Sequence, residues 1–302
     1  MIAPAPAGTI EPLDAMTSAN TAENREREFA FTDRDFAFLR DVVMEHSGIT
    51  LGEHKRQLVY GRLTRRLRQL GLRSFADYCS HVEQHLETEL GELINAITTN
   101  LTAFFREPHH FEHLAAQALP EIMKRNAGTR RLRLWSAGCS TGEEPYSIAL
   151  TVAETLGAAL TAWDARILAT DIDTQVLTRA ATGVYSEDRI EGISPAYQRR
   201  WFRRGVGPNQ GKVKVDDTLR GLISFKPLNL MDASWPMRGP FDIIFCRNVV
   251  IYFDKPTQKR LFERYADMLA PDGYLYVGHS ESLHSMSTRF KLIGKTIYQR
   301  QS

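Results

Sequence analysis

The chain is expected to fold as a small all-helical unit followed by an α/β domain whose sheet is largely parallel. Three observations carry that expectation. Apolar residues recur at helical spacing from Phe31 to Thr98, and after Gly128 short apolar runs alternate with helical stretches. Between them, residues 132–149 (Leu-Arg-Leu-Trp-Ser-Ala-Gly-Cys-Ser-Thr-Gly-Glu-Glu-Pro-Tyr-Ser-Ile-Ala) read as a strand, a ligand-cradling turn and a helix N-terminus in one segment.

Residues 1–28 hold too little apolar bulk to offset their ordering entropy, and a disordered tail is expected. The helical domain spans 29–98. Thr32-Asp33-Arg34-Asp35 can cap a first helix with Phe36, Leu39, Val42 and Val43 on its apolar side, stopping near Gly48. A second helix from about Glu53 carries the stripe Val59, Leu63, Leu67, Leu70 and ends at Gly71. Lys55, Arg62, Arg65 and Arg66 fall on an adjoining face. That basic face has two readings, a solvated surface or a docking surface for an acidic partner. Nucleic acid fits it less well, because Tyr60 is its one interleaved aromatic. Helices over 75–84 and 86–98 complete the unit, which has no catalytic constellation of its own.

Residues 99–128 form a linker and a helix from Pro108 to about Lys124, with the proline in its first turn. His109 and His110 are adjacent and expected to point apart, so no metal site is expected. The α/β domain, 129–302, has strands over 132–137, 166–170, 222–226, 241–246 and 273–277, and helices over 143–156, 174–182 and 255–269. Residues 290–293 and 296–299 suggest a hairpin at an antiparallel edge around Gly294-Lys295. Residues 185–220 have no place in that sheet. Their turn-rich stretch before Lys212-Val-Lys-Val215 suggests a small inserted antiparallel β-subdomain.

The 302 residues have a formal charge of +2, too small to imply a polyanionic partner for the whole molecule. No apolar run approaches the ~20 residues of a membrane span. No secretory signal is readable, and three scattered cysteines offer no disulfide framework, so a cytoplasmic setting is expected.

In an α/β sheet the ligand lies at the carboxyl ends of the strands, here beside 138–144, 171–173, 229–230 and 247–248. A dinucleotide needs a glycine fingerprint and an acid about 20 residues on. Only Gly138 and Gly142 are present, Asp171 comes too late, and Glu143 and Glu144 would repel a pyrophosphate at the helix mouth. A ligand with ribose hydroxyls, an amino group and a sulfonium but no phosphate fits better, which points to S-adenosylmethionine. Asp171 is placed for the ribose hydroxyls and Glu144 for the cationic portion. Each has a local alternative: Glu144 as the end of a capping box starting at Thr141, Asp171 as an N-cap of the following helix.

Thr98-Thr-Asn-Leu-Thr-Ala-Phe-Phe-Arg-Glu107, Trp135-Ser-Ala with Ser140-Thr-Gly-Glu-Glu-Pro-Tyr-Ser147, Thr170-Asp-Ile-Asp173 and Phe245-Cys-Arg-Asn-Val-Val-Ile-Tyr-Phe-Asp254 closely resemble the CheR-type chemotaxis receptor methyltransferases. The likeness runs from about Phe31 to the C-terminus. It implies a Rossmann-like S-adenosylmethionine-dependent methyltransferase that esterifies glutamates on cytoplasmic receptor helices and releases S-adenosylhomocysteine. Cofactor contacts carry over to Asn100, Thr102, Arg106, Glu144, Asp171, Asn229, Leu230, Arg247 and Asn248, and substrate-end, catalytic roles to Arg106 and Tyr252. Arg62, Arg65 and Arg66 would face the acidic receptor, and the inserted segment resembles the family's β-subdomain, which in some members, though not in all, takes a receptor's C-terminal tail as an added strand. A monomer without membrane insertion is expected. Cys139 replaces a small residue common in the family and is expected only to pack. An ionised glutamate needs no general base, so alignment is the main requirement. The rival readings are a non-catalytic receptor-binding adaptor and a methyltransferase for RNA or a small molecule.

Overall fold

In a computed structural model the chain is described over residues 28–283 and 286–301. The expected tail therefore lies outside the described residues, apart from Glu28, which pairs with Arg68.

Helix α1 (Asp33–Ser47) opens on a reciprocal capping box: Thr32 Oγ1 accepts the Asp35 N–H at 3.2 Å, and Asp35 Oδ2 accepts the Thr32 N–H at 2.8 Å. It ends at Gly48 in the left-handed region. After a single 3-10 turn (Glu53–Lys55), α2 (Arg56–Leu70), α3 (Phe75–Gln84) and α4 (Leu86–Ile97) follow. Their apolar stripes meet around Phe31, Phe36, Val59, Leu63, Phe75 and Tyr78 to form a core separate from those of the sheet.

The linker helix departs from expectation. It runs as α5 (His109–His113), a π-helical turn (Leu114–Ala118) and α6 (Leu119–Arg125). Pro120 accounts for the break: it has no N–H to donate, its ring crowds the carbonyl four residues earlier, and a wider turn just before it removes both conflicts. The His109 and His110 rings, expected to diverge, pack together at the helix start with centroids 4.1 Å apart.

Seven strands form the main sheet in the order β6-β2-β1-β7-β8-β10-β9. Parallel pairs join β1 (Arg131–Ala137) to β2 (Asp164–Asp171) and β7 (Phe241–Cys246), β2 to β6 (Ile223–Pro227), and β7 to β8 (Leu269–Val277). The hairpin β9 (Phe290–Leu292) and β10 (Ile297–Arg300) adds the expected antiparallel edge. Strands β1 and β7 are buried on both faces between helices, which explains their unbroken apolar runs. Helices α7 (Glu143–Leu156) and α8 (Thr174–Thr182) follow β1 and β2.

The inserted segment contributes β3 (Val184–Ser186), β4 (Phe202–Arg204) and β5 (Lys212–Val215), an antiparallel sheet in the order β3-β5-β4, with α9 (Pro195–Trp201) and α10 (Asp217–Arg220). The last helix, α11 (Lys255–Met268), precedes β8. No helix among the described residues is long and apolar enough to cross a membrane.

Candidate functional site

The strand ends of β1, β2 and β7, the linker and the edge of the helical domain enclose one cleft of about 1160 Å³, counting its open mouth. Asn100, Thr102, Arg106, Glu144, Asp171, Asn229, Leu230, Arg247, Asn248 and Tyr252 all line it.

Its floor is acidic and buried. Glu144 accepts the Ser136 hydroxyl at 2.7 Å on Oε1 and Arg247 Nη1 at 3.2 Å on Oε2, so one carboxylate fastens β1, α7 and the end of β7. Burial raises its pKa, and the Arg247 charge opposes that rise. The capping-box alternative is overturned. The N-cap of α7 is Gly142, at φ 98°, and Thr141 Oγ1 instead hydrogen-bonds Glu143 Oε2 at 2.6 Å. The helix begins one residue too late for Thr141 to cap it.

Asp171 accepts the Ser140 N–H on Oδ2 at 2.8 Å and the Asp173 N–H on Oδ1 at 3.0 Å. Burial pushes its carboxyl up to about 6, and these backbone donors pull against the shift. It is not the helix cap. Asp173 takes that role, accepting from the N–H groups of Gln175 and Val176, while its other oxygen holds Thr98 Oγ1 at 2.9 Å and Asn100 Nδ2 at 2.8 Å. The Asn100 carbonyl in turn accepts the Ser140 hydroxyl at 3.0 Å. The linker is thus tied to both strand ends.

Gly138, at φ 89°, makes the closest backbone approach in the cleft: a Cβ there would lie 2.3 Å from Val249 Cγ2. Beyond that contact, buried Arg247 also donates to the Arg106 carbonyl and lies 3.7 Å from Glu107 Oε2. Arg106 Nη1 closes the linker loop on the Leu101 carbonyl at 2.9 Å, and the Thr102 carbonyl accepts Arg189 Nη2 at 2.8 Å. Asn229 Nδ2 donates to the His46 carbonyl at 2.6 Å and its Oδ1 accepts the Met231 N–H, while the Leu230 carbonyl accepts Arg264.

The helical domain, expected to lack a site of its own, walls the cleft through Ile49, Leu51, Lys55 and Leu58. Lys55 Nζ lies 5.0 Å from the Tyr252 ring centroid, and the Tyr252 carbonyl accepts the Thr50 N–H at 2.8 Å. Arg62, Arg65 and Arg66 do not line the cleft. Arg62 Nη1 instead holds the carbonyls of Ile97 and Thr98 at 2.5 and 2.7 Å, and Arg66 makes a fork–fork pair with buried Glu89 at 2.9 and 2.6 Å. Arg65 is exposed. Cys139 is buried beside Ala169 and Leu177, and burial pushes its thiol up, as suits a packing residue.

Two groups escaped sequence reasoning. Glu281 sits just past the end of β8, where the strand-end rule applied to every parallel strand would have found it. Arg189 pairs with buried Glu143 from the inserted segment, and nothing local in the sequence announces that contact.

The cleft suits a methyl donor of the S-adenosylmethionine type. Each Asp171 oxygen keeps a lone pair beyond its backbone partner, and the mouth of α7 holds carboxylates where a phosphate would need bare N–H groups.

Residues 100–299 match the family model described as "CheR methyltransferase, SAM binding domain", and residues 34–98 match "CheR methyltransferase, all-alpha domain". The chain is 46% identical over 270 residues to the "Chemotaxis protein methyltransferase" of Escherichia coli K12, covering 89% of this chain and 91% of that protein. It is 48% identical over 277 residues to "Chemotaxis protein methyltransferase 2" of Pseudomonas aeruginosa PAO1, covering 90% and 95%. With the corresponding protein of Borreliella burgdorferi the identity is 38% over 268 residues.

Proposed function

The chain belongs to the CheR methyltransferase family and is an S-adenosylmethionine-dependent methyltransferase of chemotaxis; from that premise we propose that its acceptors are glutamate side chains on the cytoplasmic helices of chemoreceptors. The observation that carries this is the cleft itself, with buried acids at one end and Arg106 and Tyr252 among the residues that line it.

S-adenosylmethionine supplies a methyl group on a positively charged sulfur. The acceptor oxygen–carbon bond forms as the carbon–sulfur bond breaks, which leaves a glutamyl methyl ester and S-adenosylhomocysteine. With an acceptor pKa near ~4.3 the nucleophile is already ionised, and no general base is required. Alignment then supplies most of the acceleration. Asp171 would receive the ribose hydroxyls and Glu144 would face the amino-acid portion, with Asn100, Thr102, Arg106, Asn229, Leu230, Arg247 and Asn248 shaping the remaining wall. Tyr252 would touch the reacting atoms, and Arg106 would steady the incoming carboxylate from the opposite side. Arg65 would meet the acidic receptor surface in water, where charge steers association. An edge strand of the β3-β5-β4 sheet would take a receptor tail by strand addition.

The test uses methyl-labelled donor and receptor cytoplasmic fragments with and without their C-terminal tails. Label released as methanol in base identifies the ester, and faster methylation of the tailed fragment supports tail capture. Alkali-stable label, or donor binding without any turnover, would overturn the glutamate assignment. Equal rates on both fragments would remove the tail from the account.

A further inference from the structure

The turn after β7 brings Asn248, Val249 and Tyr252 to the cleft, and it is not part of any strand ladder. Asn248 stands at φ 59°, a left-handed conformation that asparagine tolerates better than other residues with a side chain. One carboxylate holds the turn. Glu281 accepts the N–H groups of Asn248 and Val249, each at 2.8 Å, and of Ile251 at 3.3 Å, and it closes its own loop by accepting the Gly278 N–H at 2.6 Å. Glu281 is 4% exposed. Gly278 allows the approach, since a Cβ there would lie 2.6 Å from Asn248 Nδ2 and 2.9 Å from Glu281 Oε2. The donor end of the cleft is secured by contacts that bypass Glu281: Ser136–Glu144–Arg247 on one side, Ser140–Asp171–Asp173 on the other.

We propose that Glu281 is a positioning residue for methyl transfer, fixing the turn 248–252 and thereby placing Tyr252 at the acceptor end of the cleft. This rests on the assignment of Tyr252 to that end. A glutamine at 281 puts an amide NH2 where two backbone N–H groups need an acceptor, so the turn loses its shape while the packing volume is kept. Of the donor-end wall only Asn248 lies in this turn; Glu144 and Asp171, held by other contacts, stay in place.

The experiment compares the full-length wild type with Glu281→Gln, Tyr252→Phe and the double variant, measuring kcat on a receptor fragment, S-adenosylhomocysteine affinity by calorimetry and the thermal midpoint. Glu281→Gln should lower kcat about tenfold or more and change product affinity less than about threefold. In the Tyr252→Phe background the same substitution should cost less than about twofold, because the group it positions is already gone. Penalties that multiply in the double variant, or a product affinity that falls in step with kcat, would assign Glu281 a purely structural role and overturn the proposal. Should Glu281→Gln fail to fold, Glu281→Asp, which keeps the charge but falls short of the turn, is judged by the same two criteria. Full turnover in Tyr252→Phe alone would instead overturn the Tyr252 assignment, and with it this route of action. The identity of the acceptor is read separately, from methanol release by the wild type.

Discussion

On the proposed assignment to the ribose hydroxyls, Asp171 would set a pH response in an enzyme whose chemistry moves no proton. Burial lifts its carboxyl from the usual aspartate value to about 6. An acid whose folded pKa is raised binds its proton more tightly when folded, so its ionisation costs stability as pH climbs from about 4 to about 6. Donor capture runs the other way, because ribose hydroxyls need the ionised form. The expected result is S-adenosylhomocysteine affinity that strengthens about tenfold per pH unit up to about 6 and levels off above it. Asp171→Asn should bind weakly with no such slope. Calorimetry between pH 5 and 7.5 decides this, and a flat wild-type profile would refute it. At this scale the sequence was informative wherever a strand end met a polar motif. The local alternatives for Glu144 and Asp171 fail because the helices are capped one and two residues later, at Gly142 and Asp173.

At the scale of elements, the linker is the part that everything grips. Phe104 stacks edge-on against Tyr185 and Phe202 of the inserted subdomain, with centroids 5.0 and 5.6 Å apart, and Arg189 from the same insert reaches both the Thr102 carbonyl and Glu143. Arg189→Ala would strand Glu143, whose side chain is 1% exposed. Because Arg189 is itself partly solvated, the expected loss is about 2 kcal/mol, below the 3–5 typical of a fully buried pair. Adding Glu143→Gln should recover part of it, since the orphaned charge goes with it. Denaturant unfolding of the three variants measures both steps, and no recovery in the double variant would contradict the account. The strands, most helices and the edge hairpin were legible because period and punctuation agree there. The π turn before Pro120 and the pairing of Arg189 were not, one being a response to a missing N–H and the other a contact 46 residues apart in sequence.

For the whole molecule, the question is how a helical domain with its own core comes to share a site with the sheet. Asn229 to the His46 carbonyl and Thr50 to the Tyr252 carbonyl are polar bonds across the boundary, and a Cβ on Gly48 would strike Met231. Inside the helical domain, the basic face of α2 ties helices together through Arg62 and Arg66. Arg66→Ala would leave Glu89 buried without its ion-pair partner, costing about 3 kcal/mol, whereas Arg65→Ala should shift stability by less than about 0.5. Receptor affinity at low salt should fall for Arg65→Ala, and the gap from wild type should narrow as salt is added. Unfolding and binding assays on the two variants separate the roles, and equal stability losses would refute the distinction. Periodicity placed the basic residues on one face but could not tell which of them already had internal partners.

On the assignment above, Asp171 and Glu144 address the ribose and the amino-acid portion, the parts of the cofactor that methyl transfer leaves unchanged. The floor of the cleft therefore grips spent cofactor as well as fresh, and only the lost charge on sulfur tells them apart. Fresh and spent molecules then compete for the same seat, and the rate follows their ratio in the cell. The enzyme would in this way also report how well the cell clears its used methyl carrier.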